Sequence, residues 1–147
     1  NRQDLHVSGI DVSEEALSLS KKNAASHGTV VNFFKLDVLH EDVSEVYDVI
    51  VSNPPYVLQN EKDQMRSNVL DYEPHTALFV EDTDPLIFYR KISEWAIASL
   101  KNKGWLFFEI NQKYGSELIE MLKNKGFNEV QLRNDIFDVP RMIRARK

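Results

Sequence analysis

Two adjacent prolines, Pro54 and Pro55, stop an apolar run, and that stop constrains the chain more than any other feature. Neither has a backbone N–H for a sheet ladder, so a strand over Tyr47-Asp48-Val49-Ile50-Val51-Ser52 must finish at Asn53. The segments before it follow a matching plan. Val7 to Ile10 reads as a strand ending at Asp11. Ser13 then caps a helix, with Glu14 and Glu15 at the positive end of its dipole. That helix is expected to run to about His27, bury Ala16, Leu17 and Ala24, and close at Gly28. A second strand spans about Val30 to Leu36 and ends at Asp37.

Beyond the prolines, residues 57 to 83 carry no sustained period, and a stretch of that length in a compact domain makes a candidate lid. Asp84-Pro85 reads as a cap followed by a first-turn proline. It opens a helix to about Asn102 with Phe88, Ile92, Ala96 and Leu100 on one face, closed by Gly104. Trp105 to Ile110 is nearly all apolar, the pattern of a central strand covered on both faces, and Phe88, Trp95, Phe107 and Phe108 read as core. A short helix from Ser116 to Lys125 ends at Gly126, and Glu129 to Arg133 and Arg141 to Ala145 read as two last strands. Strands alternating with helices predict an α/β, doubly wound sheet with helices on both faces and ligands outside the carboxyl ends of its strands. Asp11, Asp37 and Asn53 stand at such ends. Without an internal repeat or a low-complexity linker, residues 1–147 read as a single domain.

Composition excludes several classes. At 147 residues, 42% apolar and 28% charged, the chain fits one globular core, and fifteen aromatic residues at a net charge of −5 do not describe disorder. Without cysteine there is no disulfide scaffold, thiolate metal site or cysteine nucleophile, which suits a reducing compartment, the cytoplasm by default. No apolar run approaches the roughly 18 residues of a membrane span, and Asn1-Arg2-Gln3-Asp4 is no signal peptide. The basic residues cluster only in the tail from Arg141 to Lys147, which argues against direct nucleic-acid binding over a broad surface.

The candidate chemistry lies at the strand ends. Asp11, between a strand and a helix, stands where a carboxylate accepts hydrogen bonds from the two hydroxyls of a ribose; the plain alternative is a carboxylate that helps cap the helix. Asp37 has the same two readings, toward an adenine or into its own turn. Asn53-Pro54-Pro55-Tyr56 offers three different instruments. The Asn53 amide donates and accepts at once, the Pro54 carbonyl is an acceptor without a ladder partner, and Tyr56 supplies a flat aromatic face. Together they suit a planar, weakly nucleophilic nitrogen; the plain alternative is a strand stop beside a core tyrosine. Glu109 and Glu73 are weighed as site carboxylates against ordinary paired ones. His6, His27, His40 and His75 show no metal-ligand spacing, and no nucleophile elbow, P-loop or zinc-protease motif occurs.

With Gly9-Ile10-Asp11, Asp37 and Asn53-Pro54-Pro55-Tyr56 in this order, the chain resembles Rossmann-like S-adenosylmethionine-dependent methyltransferases of planar nitrogens. It looks most like the HemK-type protein-(glutamine-N5) methyltransferases. The narrower likeness rests on Val51 to Val57, on Asp71-Tyr72-Glu73-Pro74 with Ala77-Leu78, on Phe108-Glu109-Ile110, and on Asn134-Asp135 with Arg141. The resemblance implies methylation of the Gly-Gly-Gln glutamine in class I peptide-chain release factors, a cytoplasmic step of translation termination, with S-adenosyl-L-methionine as cofactor and no metal. It further implies that Asp11 binds the ribose and that Asp37 and Val38 flank the adenine. Asn53 would face both donor and target, and Pro54, Pro55 and Tyr56 would complete the substrate clamp, with Asn53 and Tyr56 as its catalytic groups. Because Asn-Pro-Pro-Tyr also occurs in adenine-N6 and guanine-N2 methyltransferases, a nucleic-acid amino methyltransferase is the alternative, as is a non-catalytic binding module of the same fold.

The chain departs from the family in one respect. Its glycine-rich loop has no counterpart, since no Gly-x-Gly occurs, and neither the family's first strand nor its N-terminal helical domain is present. The expectation is an N-terminally truncated, partial catalytic domain that binds donor weakly or not at all alone. The absent strand would belong between those ending at Asp11 and Asn53.

Overall fold

The computed structural model describes residues 4–42, 45–58, 79–80 and 82–147. Most of the candidate lid, with Asp71 to Pro74, His75 and Ala77-Leu78, lies outside the described residues, as do Asn1 to Gln3. The chain divides into two compact units, Asn1–Asp42 and Val43–Lys147.

The first unit is a strand–helix–strand. Strand β1 (Ser8–Asp11) runs parallel to β2 (Asn32–Lys35), with Ser8 opposite Asn32 and Asp11 opposite Lys35. Helix α1 (Glu14–Ser26) joins them. Its start is the predicted one: the Ser13 hydroxyl accepts the Ala16 N–H at 3.2 Å, and Gly28 takes the left-handed conformation (φ +62°) after the last turn. The core here is thin. Leu17 and Leu36 are buried, whereas Ala16 and Ala24 reach only half-burial, less than expected. The second strand is shorter than predicted because Val30 stands 92% exposed, outside the pairing.

The second unit carries a four-stranded sheet of β3 (Tyr47–Ser52), β6 (Leu100–Glu109), β8 (Pro140–Arg146) and β7 (Asn128–Asn134), in that spatial order. Strands β3 and β6 are parallel; β8 runs antiparallel to both its neighbours, so β7 and β8 form the closing hairpin. Two short parallel strands, β4 (Val57–Leu58) and β5 (Phe79–Val80), pair separately. Among the described residues of each unit, β1 pairs with β2 in the first and β3 with β6 in the second.

Helices α2 (Ile87–Ser99) and α3 (Gly115–Asn124) cover one face of this sheet. Leu106, Phe108, Ile143 and Ala145 point into it and are buried with Tyr89, Ile92, Trp95, Ala96, Leu118 and Leu122. The opposite face explains a difference from the sequence reading. Trp105 and Phe107 are half-buried rather than core, and Phe88 is as well, so burial along β6 alternates instead of being two-sided. Their neighbours in register, Val49 and Val51, are exposed, and the guanidiniums of Arg144 and Arg146 lie 4.9 and 5.3 Å from the Trp105 ring centroid.

Helix α2 begins and ends inside its predicted limits. Asp84 is not its cap: both carboxylate oxygens take the Arg90 guanidinium at 2.9 Å, and Leu86 occupies the cap position without a side-chain bond. At the other end Leu100, which continues the helical period, already belongs to β6. Gly104 lies within that strand rather than closing the helix. A Cβ there would meet the Lys101 carbonyl oxygen at 2.9 Å and that of Asp48 at 3.0 Å, so the glycine permits a close backbone approach between β3 and β6. Among the described residues no helix is long and apolar enough to cross a membrane.

Candidate active site

The sequence-predicted residues divide between the two units. Asp11, Asp37 and Val38 belong to the first; Asn53, Pro54, Pro55 and Tyr56 belong to the second.

In the first unit Asp11 closes β1 and is exposed. Its Oδ1 accepts the Ser13 N–H at 2.8 Å, so it does support the helix start, and no described residue donates to Oδ2. A solvent-facing carboxylate with a spare acceptor at the end of a parallel strand fits a ribose diol. Asp37 is more committed. Its Oδ1 accepts the Leu39 N–H at 2.9 Å and its Oδ2 lies 2.8 Å from His40 Nδ1, while its own N–H donates to Glu41 Oε1 at 2.8 Å. The His40 imidazole and the Leu39 N–H hold the Asp37 carboxyl below its usual range, so it stays an anion. The turn half-buries Val38.

In the second unit the parallel register of β3 and β6, with Ser52 opposite Phe108, sets Asn53 beside Glu109 at the carboxyl ends of both strands. The Asn53 side chain is exposed and Pro54 is buried. No described residue donates to the Pro54 carbonyl. Tyr56 is half-buried and held at two points: its hydroxyl donates to Glu109 Oε1 at 2.8 Å, and its main-chain carbonyl accepts from Asn111 Nδ2 at 3.2 Å. Burial, and then the bond to Glu109, push the Tyr56 hydroxyl above its ordinary pKa, against the opposing influence of the Arg141 guanidinium. It is therefore a neutral phenol that keeps its proton and donates a hydrogen bond to Glu109.

A further layer supports these groups. The Tyr89 hydroxyl donates to the Glu109 main-chain carbonyl at 3.1 Å, and its fully buried ring meets Phe108 edge-on with centroids 5.2 Å apart. The Arg141 main-chain carbonyl accepts the Ile110 N–H at 2.9 Å, and its Nε lies 3.4 Å from Asp135 Oδ2. Asp135 also accepts the Phe137 and Val139 N–H groups at 2.9 and 3.1 Å, which fixes the β7–β8 turn. Sequence reasoning did not single out Asn111 and Tyr89. The one signal for Asn111 is its position just past a predicted strand end; nothing local marks Tyr89, which acts through tertiary contact.

Chemically, the second unit presents an exposed amide, a carbonyl acceptor and an anchored aromatic ring over four consecutive residues. Such a set can bind and orient a planar N–H-bearing group.

Solved structures share this fold. A methyltransferase from Pyrococcus furiosus matches with a TM-score of 0.68 at 18% identity, over 97% of this chain and 62% of that one. The ribosomal protein L11 methylase from Lactobacillus delbrueckii matches with a TM-score of 0.64 at 18% identity, over 97% and 58%. The fold is thus the Rossmann-like one of methyltransferases, and the methyltransferase small domain model matches residues 1–72. Sequence relatives are more specific. The release factor glutamine methyltransferase of Flavobacterium psychrophilum is 47% identical over 99% of this chain and 51% of its own length. That of Bacteroides thetaiotaomicron is 44% identical over 100% and 54%. The chain is similar to release factor glutamine methyltransferases over nearly its whole length and spans about half the length of these curated relatives.

Proposed function

We propose that the protein carrying this chain methylates, in the cytoplasm, the side-chain nitrogen of the Gly-Gly-Gln glutamine in class I peptide-chain release factors, using S-adenosyl-L-methionine. Residues 1–147 would be part of one catalytic domain. The observation that carries the reading is the Asn53-Pro54-Pro55-Tyr56 turn at the carboxyl end of β3, with Asn53 exposed and Tyr56 tied to Glu109 and Asn111. The names of the relatives supply the target.

When bound, S-adenosylmethionine supplies an electrophilic methyl group. The chain's own residues do the rest. In the first unit the Asp11 carboxylate would accept the ribose hydroxyls, and Asp37 with Val38 would flank the adenine. In the second unit the Asn53 side-chain oxygen and the Pro54 carbonyl would each take one N–H of the target amide. Pro55 and the Tyr56 ring would complete the clamp beneath its plane. An amide nitrogen is a poor nucleophile because its lone pair is conjugated, and two hydrogen bonds to its N–H groups fix its direction and favour the charge it develops. Orientation stands in for a strong base.

The test is transfer of labelled methyl to a purified class I release factor by the whole protein, beside a factor with Ala in place of the Gly-Gly-Gln glutamine. Label on the first factor alone is the expected result. Equal label on both, or none on either, would overturn the reading.

A further inference from the structure

From the contacts around Tyr56 we infer that Glu109 is a positioning residue, whose carboxylate latches the Tyr56 hydroxyl and so sets the angle of the ring against which the target amide lies. The inference rests on the proposed function for what the ring contacts; the latch itself rests on geometry.

The turn needs such a device for a reason already in its sequence. Pro54 and Pro55 have no N–H, so neither residue can anchor the turn through a backbone donor, and groups outside the turn hold it. Two groups do so, both beyond the end of the neighbouring parallel strand or at its last residue. Asn111 takes the Tyr56 main-chain carbonyl, and Asn111 is itself fixed because its Oδ1 accepts the Lys113 N–H at 3.0 Å. Glu109 takes the hydroxyl at the far end of the side chain. With carbonyl and hydroxyl both held, neither the backbone nor the ring of Tyr56 swings freely.

Glu109 is in turn well placed to act as an anchor. Its main-chain carbonyl is pinned by Tyr89, whose ring is fully buried against Phe108, and its N- and C-terminal neighbours Phe108 and Ile110 are buried. The Arg141 guanidinium pulls the pKa of the same hydroxyl down, against Glu109. Tyr56 acts through its face, and Glu109 acts on the substrate only through Tyr56.

This arrangement predicts coupling. In the whole protein, Glu109→Ala should lower kcat/KM for the release factor by about tenfold to a hundredfold, as expected when a contact group is misplaced by an ångström. Affinity for S-adenosylmethionine, measured by calorimetry, should stay within about twofold. Glu109→Gln keeps an acceptor for the hydroxyl and should recover most of the lost activity. In a Tyr56→Phe background, where there is no hydroxyl to hold, Glu109→Ala should cost less than about twofold more. A full additional cost in that background would overturn the latch, as would failure of Gln to recover activity.

A second readout does not depend on transfer. Tyrosine carrying 13C at Cζ, with the Tyr56 signal assigned by its loss in Tyr56→Phe, reports the ionisation of that hydroxyl. Glu109→Gln should move it down toward the ordinary tyrosine value, and no movement would contradict the bond. If the whole protein transfers no methyl to any release factor, the proposed function fails, and this titration still decides the latch.

Discussion

At the scale of single residues, the site residues are separable by what each would lose. Asn53 is exposed and holds up none of the buried core, so Asn53→Ala should leave the circular dichroism spectrum and unfolding midpoint unchanged. It should reduce methyl transfer by about a hundredfold or more, the scale found when a preorganised hydrogen-bonding group is removed. Asp11→Ala should act on donor binding instead. Losing a charged acceptor for a hydroxyl is worth about 1.5–3 kcal/mol, or roughly tenfold or more in Kd, and would be read by titration with S-adenosylmethionine. Asp135 gives a pH signature. Its carboxyl is held below its ordinary value of 3.8, first by the Phe137 and Val139 N–H groups and then by Arg141. A depressed folded pKa means that these bonds stabilise the turn above the ordinary value and are lost as pH falls through the depressed one. The amide shifts of Phe137 and Val139 should therefore titrate with a midpoint below 3.8. A midpoint at or above it would contradict the bonding described.

At the scale of elements, the sheet in the second unit is one-sided in its energetics, and substitutions should report that. Phe108 is buried beneath α2, so Phe108→Ala should cost about 3–5 kcal/mol of stability in urea unfolding. Val51, 74% exposed on the opposite face, should cost within about 0.5 kcal/mol when changed to Ala. Gly104→Ala drives a Cβ against two backbone carbonyls and should cost about 1–3 kcal/mol. These elements also mark how much was legible in the sequence. The strand from Tyr47 to Ser52 was readable to the residue, because proline chemistry ends it whatever the tertiary context. The start of α1 was equally clear, because Ser13 makes its cap locally. The limits of α2 were not. Leu100 keeps the helical spacing yet is drawn into a strand by pairing with Tyr47, and Asp84 is taken by Arg90 before it can cap. The turn carrying Asn53 to Tyr56 was legible for a similar reason to its strand. Its supports were not, since Glu109, Asn111 and Tyr89 reach it only through the register of two parallel strands and the packing of a helix.

At the scale of the whole molecule, the residues proposed for donor and for target fall in different units of one chain, and neither unit alone carries both sets. The first has few buried apolar side chains, and no Gly-x-Gly in the 147 residues supplies a run of backbone N–H groups for a donor carboxylate. The chain by itself should bind S-adenosylmethionine at least about tenfold more weakly than the whole protein, the loss expected from one or two charge-assisted hydrogen bonds. Equal affinity would show that residues 1–147 suffice for the donor. The central claim concerns what the Asn53 turn holds. The most direct measurement is mass spectrometry of an intact class I release factor after incubation with S-adenosylmethionine and either the whole protein or its Asn53→Ala variant, with the modified peptide sequenced. The account predicts a single added methyl on the glutamine of Gly-Gly-Gln with the unaltered protein and none with the variant. A methyl at any other residue, or one that persists in the variant, would contradict it.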